Sequence, residues 1–182
     1  MKRSSGIAVA AAFAAVFVLA GFSGCTRNSA PKATAVPGAQ QLLVDGVGLL
    51  KQGDVVKAVQ AFATAIRTSP DYFEAYFMLS ETFIHLKQFD QAQSVLNTAV
   101  GRFPDNPDAH YLLAVAFEGN GKLMPAIVAA RKSIDLYQAK KDEAGEKRAT
   151  VLLGVLVQMA KQQAEAQMLD NAAQDAAKVS GQ

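Results

Sequence analysis

Residues 73–104 read FEAYFMLSETFIHLKQFDQAQSVLNTAVGRFP. Apolar and small residues recur at Tyr76, Leu79, Ser80 and Phe83, and again at Ala92, Leu96 and Ala99. That is helical spacing, one stripe on each of two helices, with a short turn between them. Asp71 followed by Glu74 has the spacing of a capping box for the first helix, Asp90 is placed to cap the second, and Pro104 ends it.

Two helices of this length cannot bury their stripes alone, and the same pattern recurs on both sides at a shift of 34 residues. Ala58, Ala92 and Ala126 are in register, as are Phe62, Leu96 and Ala130; Ala65, Ala99 and Ser133; and Leu49, Phe83 and Phe117. Gly46, Ser80 and Ala114 are the small residues of the first helices, where close helix approach requires them. Gly53 and Gly121 mark the turn in the outer units, with Lys87 in that place in the middle one, and Pro70 and Pro104 close two units.

This pattern resembles the tetratricopeptide repeat family, which has a period of 34 and small residues at its eighth, twentieth and twenty-seventh places. Three consecutive units carry the resemblance, 39–72, 73–106 and 107–138. The sequence departs from the family pattern with Leu42 and His110 beside Tyr76 at the fourth place, Asp45 at the seventh place of the first unit, and Gln138 where a third closing Pro would stand. The implied fold is all-α, a solenoid of antiparallel helix pairs with three full repeats. Within unit three, Asn106 is the expected cap, with Pro107 and Pro125 in first helical turns, where a missing N–H is harmless. Asp54 is the expected cap in unit one.

Beyond the repeats, 139–148 (AKKDEAGEKR) breaks the period and reads either as a helix extension or as a loop. Residues 149–160 resume an apolar pattern in which Leu153-Gly154 repeats the pair Leu79-Ser80, offset by six residues. Residues 139–182 are thus read as a degenerate fourth unit and a polar, Ala-rich capping helix that continues from, or breaks softly after, the preceding helix, since a solenoid needs a polar end.

The amino end is of another kind. Lys2 and Arg3 precede an uncharged apolar run over 7–20, too short to span a bilayer comfortably, and Phe22-Ser23-Gly24-Cys25 follows. This resembles a bacterial lipoprotein signal over 1–24, in which the Cys after the small residue is lipidated. Cys25 is the only cysteine, so no internal disulfide competes for it. Acyl chains contribute about 0.8 kcal/mol per buried methylene, enough for several to hold a domain on a membrane. Thr26, rather than Asp, after that Cys resembles the enterobacterial sorting pattern for the outer membrane, and the domain is expected to face the periplasm. Residues 25–38, with Pro31, Pro37 and Gly38, form a tether.

Charge removes one class of function. The chain has 18 basic and 16 acidic residues; without Lys2 and Arg3 the two balance. The basic character is partly that of the signal, and no basic cluster interleaved with aromatics suggests nucleic acid. His85 and His110 lie on different units with no cysteine or paired carboxylate at ligand spacing, and no nucleophile–base or phosphate-loop motif appears. Neither an enzyme, a metal nor a cofactor is expected. His110 is read as a packed side chain at an aromatic place. The run Lys140, Lys141, Lys147, Arg148 is interleaved with Asp142, Glu143 and Glu146 and reads as a solvated face.

In the family, the second, fifth, ninth and twelfth places of the first helices line a concave groove. Here the resemblance maps the fifth place to Leu43, Phe77, Tyr111 and Val151; the ninth to Val47, Glu81, Val115 and Val155; and the twelfth to Leu50, Ile84, Glu118 and Gln158. The row is mostly apolar, and the Lys, Arg and Asn with which relatives clamp a terminal carboxylate are missing. Either a partner's amphipathic or apolar segment docks there, or residues 161–179 or the first helix fill it. The expected function is a lipid-anchored adaptor that holds a protein partner during assembly of an envelope machine, pilus or secretion-type first. The alternative is a self-associating structural lipoprotein or a scaffold for cell-wall or outer-membrane assembly enzymes.

Overall fold

The structure of the chain, a computed structural model, describes residues 36–180. They form seven helices in order: α1 (Pro37–Lys51), α2 (Val55–Thr68), α3 (Phe73–His85), α4 (Phe89–Arg102), α5 (Pro107–Gly119), α6 (Leu123–Ala139) and α7 (Glu143–Ser180). No strand occurs among the described residues. The pairs α1–α2, α3–α4 and α5–α6 are the hairpins of the repeat. Pro37 starts α1 two residues before Ala39, so the carboxyl end of the proposed tether is helical. Residues 1–35, including the signal and Cys25, lie outside the described residues.

The repeat register is reproduced in the core. Ala58, Ala92 and Ala126 are fully buried, as are Phe62, Leu96 and Ala130, and Ala65, Ala99 and Ser133. Within α1, a Cβ on Gly46 would meet the Phe62 ring at 2.4 Å, so the absence of a side chain at 46 makes room for the ring. Units two and three carry Ser80 with Leu96 and Ala114 with Ala130 at the same two places, and all four are fully buried. The buried Ser80 and Ser133 hydroxyls donate to the Phe77 and Ala130 carbonyls, at 3.0 and 2.8 Å, so neither is left unpaired.

Two connections alternate. Within a hairpin the chain turns through one left-handed residue, Gly53 (φ 81°), Lys87 (φ 58°) or Gly121 (φ 70°). Between hairpins it extends at Ser69 (φ −140°) and Phe103 (φ −125°), each followed by a proline. Proline disfavours the helical region for the residue before it, so the helix must stop there. In unit three Gln138 replaces that proline, and α6 continues through Tyr137 to Ala139. Lys141 (φ 54°) then makes the turn used within hairpins, with the Asp142 N–H donating to the Tyr137 carbonyl as Asp54 does to Leu49.

This connection corrects the expected fourth unit. Residues 140–142 are a turn, and α7 packs along α6 as a hairpin partner, burying Gly145, Ala149 and Leu156. Gly154 is exposed with open space around it, so Leu153-Gly154 does not repeat Leu79-Ser80; Ala149 is the buried small residue instead. The capping helix is continuous with the one before it, as α7, and residues 161–174 are exposed on every face.

Capping is partly as expected. The Asp54 carboxylate accepts from the Lys57 N–H, and Asn106 accepts from the N–H groups of Asp108 and Ala109. Asp71 and Asp90 do not cap. Tyr72, whose ring is buried, takes the N-cap position of α3, which leaves Asp71 outside the helix, 3.3 Å from Arg102. Asp90 lies inside the first turn of α4, where it favours the helix dipole without closing a cap bond.

The backbone of each odd-numbered helix approaches that of the next (α1 with α3, α3 with α5, α5 with α7), while the backbones of α2, α4 and α6 stay further apart. The odd layer is drawn together and the even layer splayed. The stack therefore curves, with α1, α3, α5 and the first turns of α7 on its concave side.

Candidate functional site

The concave face is assembled by the 34-residue period, which returns the same helix face to the same side in each hairpin. Leu43, Val47, Phe77, Glu81, Ile84, Tyr111 and Val115 are all half-buried on it. Phe77, Ile84 and Tyr111 rest on the main core with one side, and Leu43 and Val47 rest on the core of the first hairpin. Phe77 is held from behind by Phe73 (ring centroids 6.2 Å), and Phe73 and Tyr76 both pack edge-on against Phe103 at 5.4 and 5.9 Å. That aromatic cluster ties the start of α3 to the end of α4 and fixes the Phe77 ring.

Val151 and Val155 belong to the exposed side of α7, at 61% and 47% exposure. Three and seven residues beyond Arg148, they share its side of the helix. The Arg148 guanidinium lies 5.9 Å from the centre of the Tyr111 ring and 3.9 Å from the Asp108 carboxylate. Arg148 is therefore part of the concave face and not only of a solvated charge run. Asp108 also accepts from the Tyr137 hydroxyl at 2.7 Å, which locks α5, α6 and α7 together. Neither residue is marked by the sequence, because the extra turn of α6 decides which residue of α7 reaches Tyr111.

Glu81 is the exception in an apolar row. Among the described residues it makes no ion pair and no side-chain hydrogen bond. Burial pushes its carboxyl above the ordinary carboxylate range, with Asp108 adding to the shift and His85 and Arg148 opposing it. Burial likewise raises the Tyr137 phenol, and the bond to Asp108 reinforces it.

His110 corrects another expectation: it is half-buried and its Nε2 lies 2.9 Å from the Pro104 carbonyl oxygen, so it braces the turn into α5 and does not fill a core aromatic place. No group of three or more metal-ligating side chains occurs among the described residues, and no helix among them is long and apolar enough to cross a membrane. Nor do residues 161–174 fold back over the concave face, so the described part of that helix does not fill it.

Stacked antiparallel hairpins with a pleated concave face define an α-solenoid of the helical-repeat class. Residues 49–122 match the tetratricopeptide repeat family, and this segment is a tetratricopeptide repeat array. No curated protein sequence matches the chain. Among solved structures it is similar to the first such domain of Spaghetti (RPAP3), bound to the HSP90 peptide SRMEEVD, with a TM-score of 0.60 and 22% identity over 68% of this chain and 94% of that one. It is also similar to PcrH from Pseudomonas aeruginosa (TM-score 0.61, 18% identity, 65% of this chain and 91% of that one). The repeat domain of Sgt2 from Aspergillus fumigatus is a third such structure (TM-score 0.64, 16% identity, 75% and 88%).

Proposed function

We propose that the chain is a non-catalytic adaptor that binds a segment of a protein partner along its concave face. The observation that carries this reading is the row Leu43, Val47, Phe77, Ile84, Tyr111 and Val115. These side chains are half-buried, in register on adjacent hairpins, and covered by no described segment of the chain. Such a row suits an amphipathic or extended apolar segment. That the Spaghetti domain, of similar fold, is solved with a bound peptide supports the coarser part of this reading, a protein segment as partner.

The amino end supplies the location in this reading. Cys25 is acylated after removal of 1–24, and the array stands in the periplasm on a bilayer, the outer membrane by the residue after Cys25. There it assists assembly of an envelope complex of the pilus or secretion type. Two measurements test this. A photo-crosslinking side chain at Phe77 should capture a discrete partner in cells, one at the outer-layer residue Val56 should not, and Tyr111→Glu should abolish capture while leaving the helical circular dichroism unchanged. Detergent-phase partitioning should be lost in Cys25→Ser; a Cys25→Ser chain that still partitions like the parent sinks the anchor.

A further inference from the structure

Charge is sorted between the two layers of the solenoid, although the repeats carry both signs. The first helices hold Asp45, Glu74, Glu81, Asp108 and Glu118, and against them only Lys51, the last residue of α1. The second helices hold Lys57, Arg67, Arg102, Arg131 and Lys132, and against them only Asp90 and Asp135. One layer faces the concave side and the other faces away, so the three repeats are polarised across their thickness, while the first turns of α7, which complete the concave side, carry both signs (Glu143, Glu146, Lys147 and Arg148).

On the concave side this sorting falls among the apolar residues of the groove. Glu81 stands on α3 between Phe77 and Ile84, and Glu118 stands on α5 one turn beyond Val115. Both are half-buried, and neither is in an ion pair among the described residues. The one guanidinium that reaches the face, Arg148, lies between Asp108 and the Tyr111 ring. A carboxylate held among apolar side chains is poorly hydrated and gains most from an incoming cation.

Resting on the adaptor reading above, we propose that the concave face selects a basic amphipathic protein segment: apolar side chains seat on Phe77, Ile84, Tyr111 and Val115, and lysine or arginine side chains meet Glu81 and Glu118. Acidic segments are rejected by the same carboxylates, since like charges across an apolar interface are costly and unlike charges also steer the encounter. The polarity is the reverse of a face that takes an acidic peptide end.

Two synthetic amphipathic peptides of about 18 residues, one of leucine and lysine and one of leucine and glutamate, test this by fluorescence anisotropy on the full chain. The lysine peptide should bind at least ~10-fold more tightly, and the preference should shrink as salt is raised from about 50 to about 500 mM. Glu81→Lys with Glu118→Lys should remove the preference. Asp90→Lys with Asp135→Lys makes the same change in net charge on the other layer and should leave it intact, and Glu81→Gln provides a milder variant if the lysine pair does not fold. Equal binding of both peptides, abolished by Tyr111→Glu, overturns the charge selection while leaving the groove standing. Equal loss of preference in the two lysine pairs also overturns it, by showing a net-charge effect. Binding of neither peptide sinks the groove and the selection together.

Discussion

Single residues of one type carry opposite stability signs here, and the surroundings decide which. Gly46 faces the fully buried Phe62 ring, so Gly46→Ala forces a packed aromatic to move and should destabilise by about 1–3 kcal/mol. Gly48, two residues on in the same helix, has open space, so Gly48→Ala should stabilise by about 0.5–1 kcal/mol through helix propensity. Urea denaturation of the two variants checks both signs. Lys87 occupies a left-handed turn position that Gly53 and Gly121 fill in the other units, so Lys87→Gly should raise stability, by about 1 kcal/mol. Tyr137 adds a pH effect. Its phenol is raised in the fold, so the unfolded chain loses its proton first. The stability it contributes is whole below the ordinary value of 10.0 and drains away as pH rises above it. Tyr137→Phe should therefore lower stability at neutral pH by about 1–3 kcal/mol, from the lost bond to a carboxylate, and flatten the alkaline fall in melting temperature.

Among the elements, α6 and α7 depart from the repeat. A proline after Ser69 and after Phe103 ends the second helix of a unit; without one, α6 runs on and hands α7 over by a within-hairpin turn. Putting proline back, as Gln138→Pro, should break the last turn of α6, where Tyr137 is buried against the face of Gly145, and cost several kcal/mol. The far part of α7 behaves differently. Because residues 161–174 are exposed, a chain ending at Lys161 should keep its unfolding midpoint within about 2 °C. A larger fall would mean that this projecting stretch packs on something after all.

At the scale of the whole molecule, the array is quasi-linear and its stability is a sum over neighbours. The largest buried cluster joins α4, α5, α6 and α7, whereas α1 and α2 pack on smaller clusters and, among the described residues, form the end hairpin of the stack. Among the six helices of the repeats, amide exchange should consequently be fastest in α1 and α2 and slowest in α5 and α6, with the concave row of α3 and α5 held on the protected part.

The hairpins and their register were legible in the chain itself, because a close helix–helix contact admits few side chains and those recur every 34 residues. The spacing alone places Gly46, Ser80 and Ala114 at the close contacts. The caps were read less well: Asp71 and Asp90 have the right chemistry one or two residues away from the right place, and the buried Tyr72 ring decided where α3 begins. Folding alone placed Arg148 over Tyr111, buried Ala149 in place of Gly154, and gathered the acids of three helices on one side. Local spacing fixes what each helix presents, but which helices meet depends on how far the preceding one runs and on the turn that follows it.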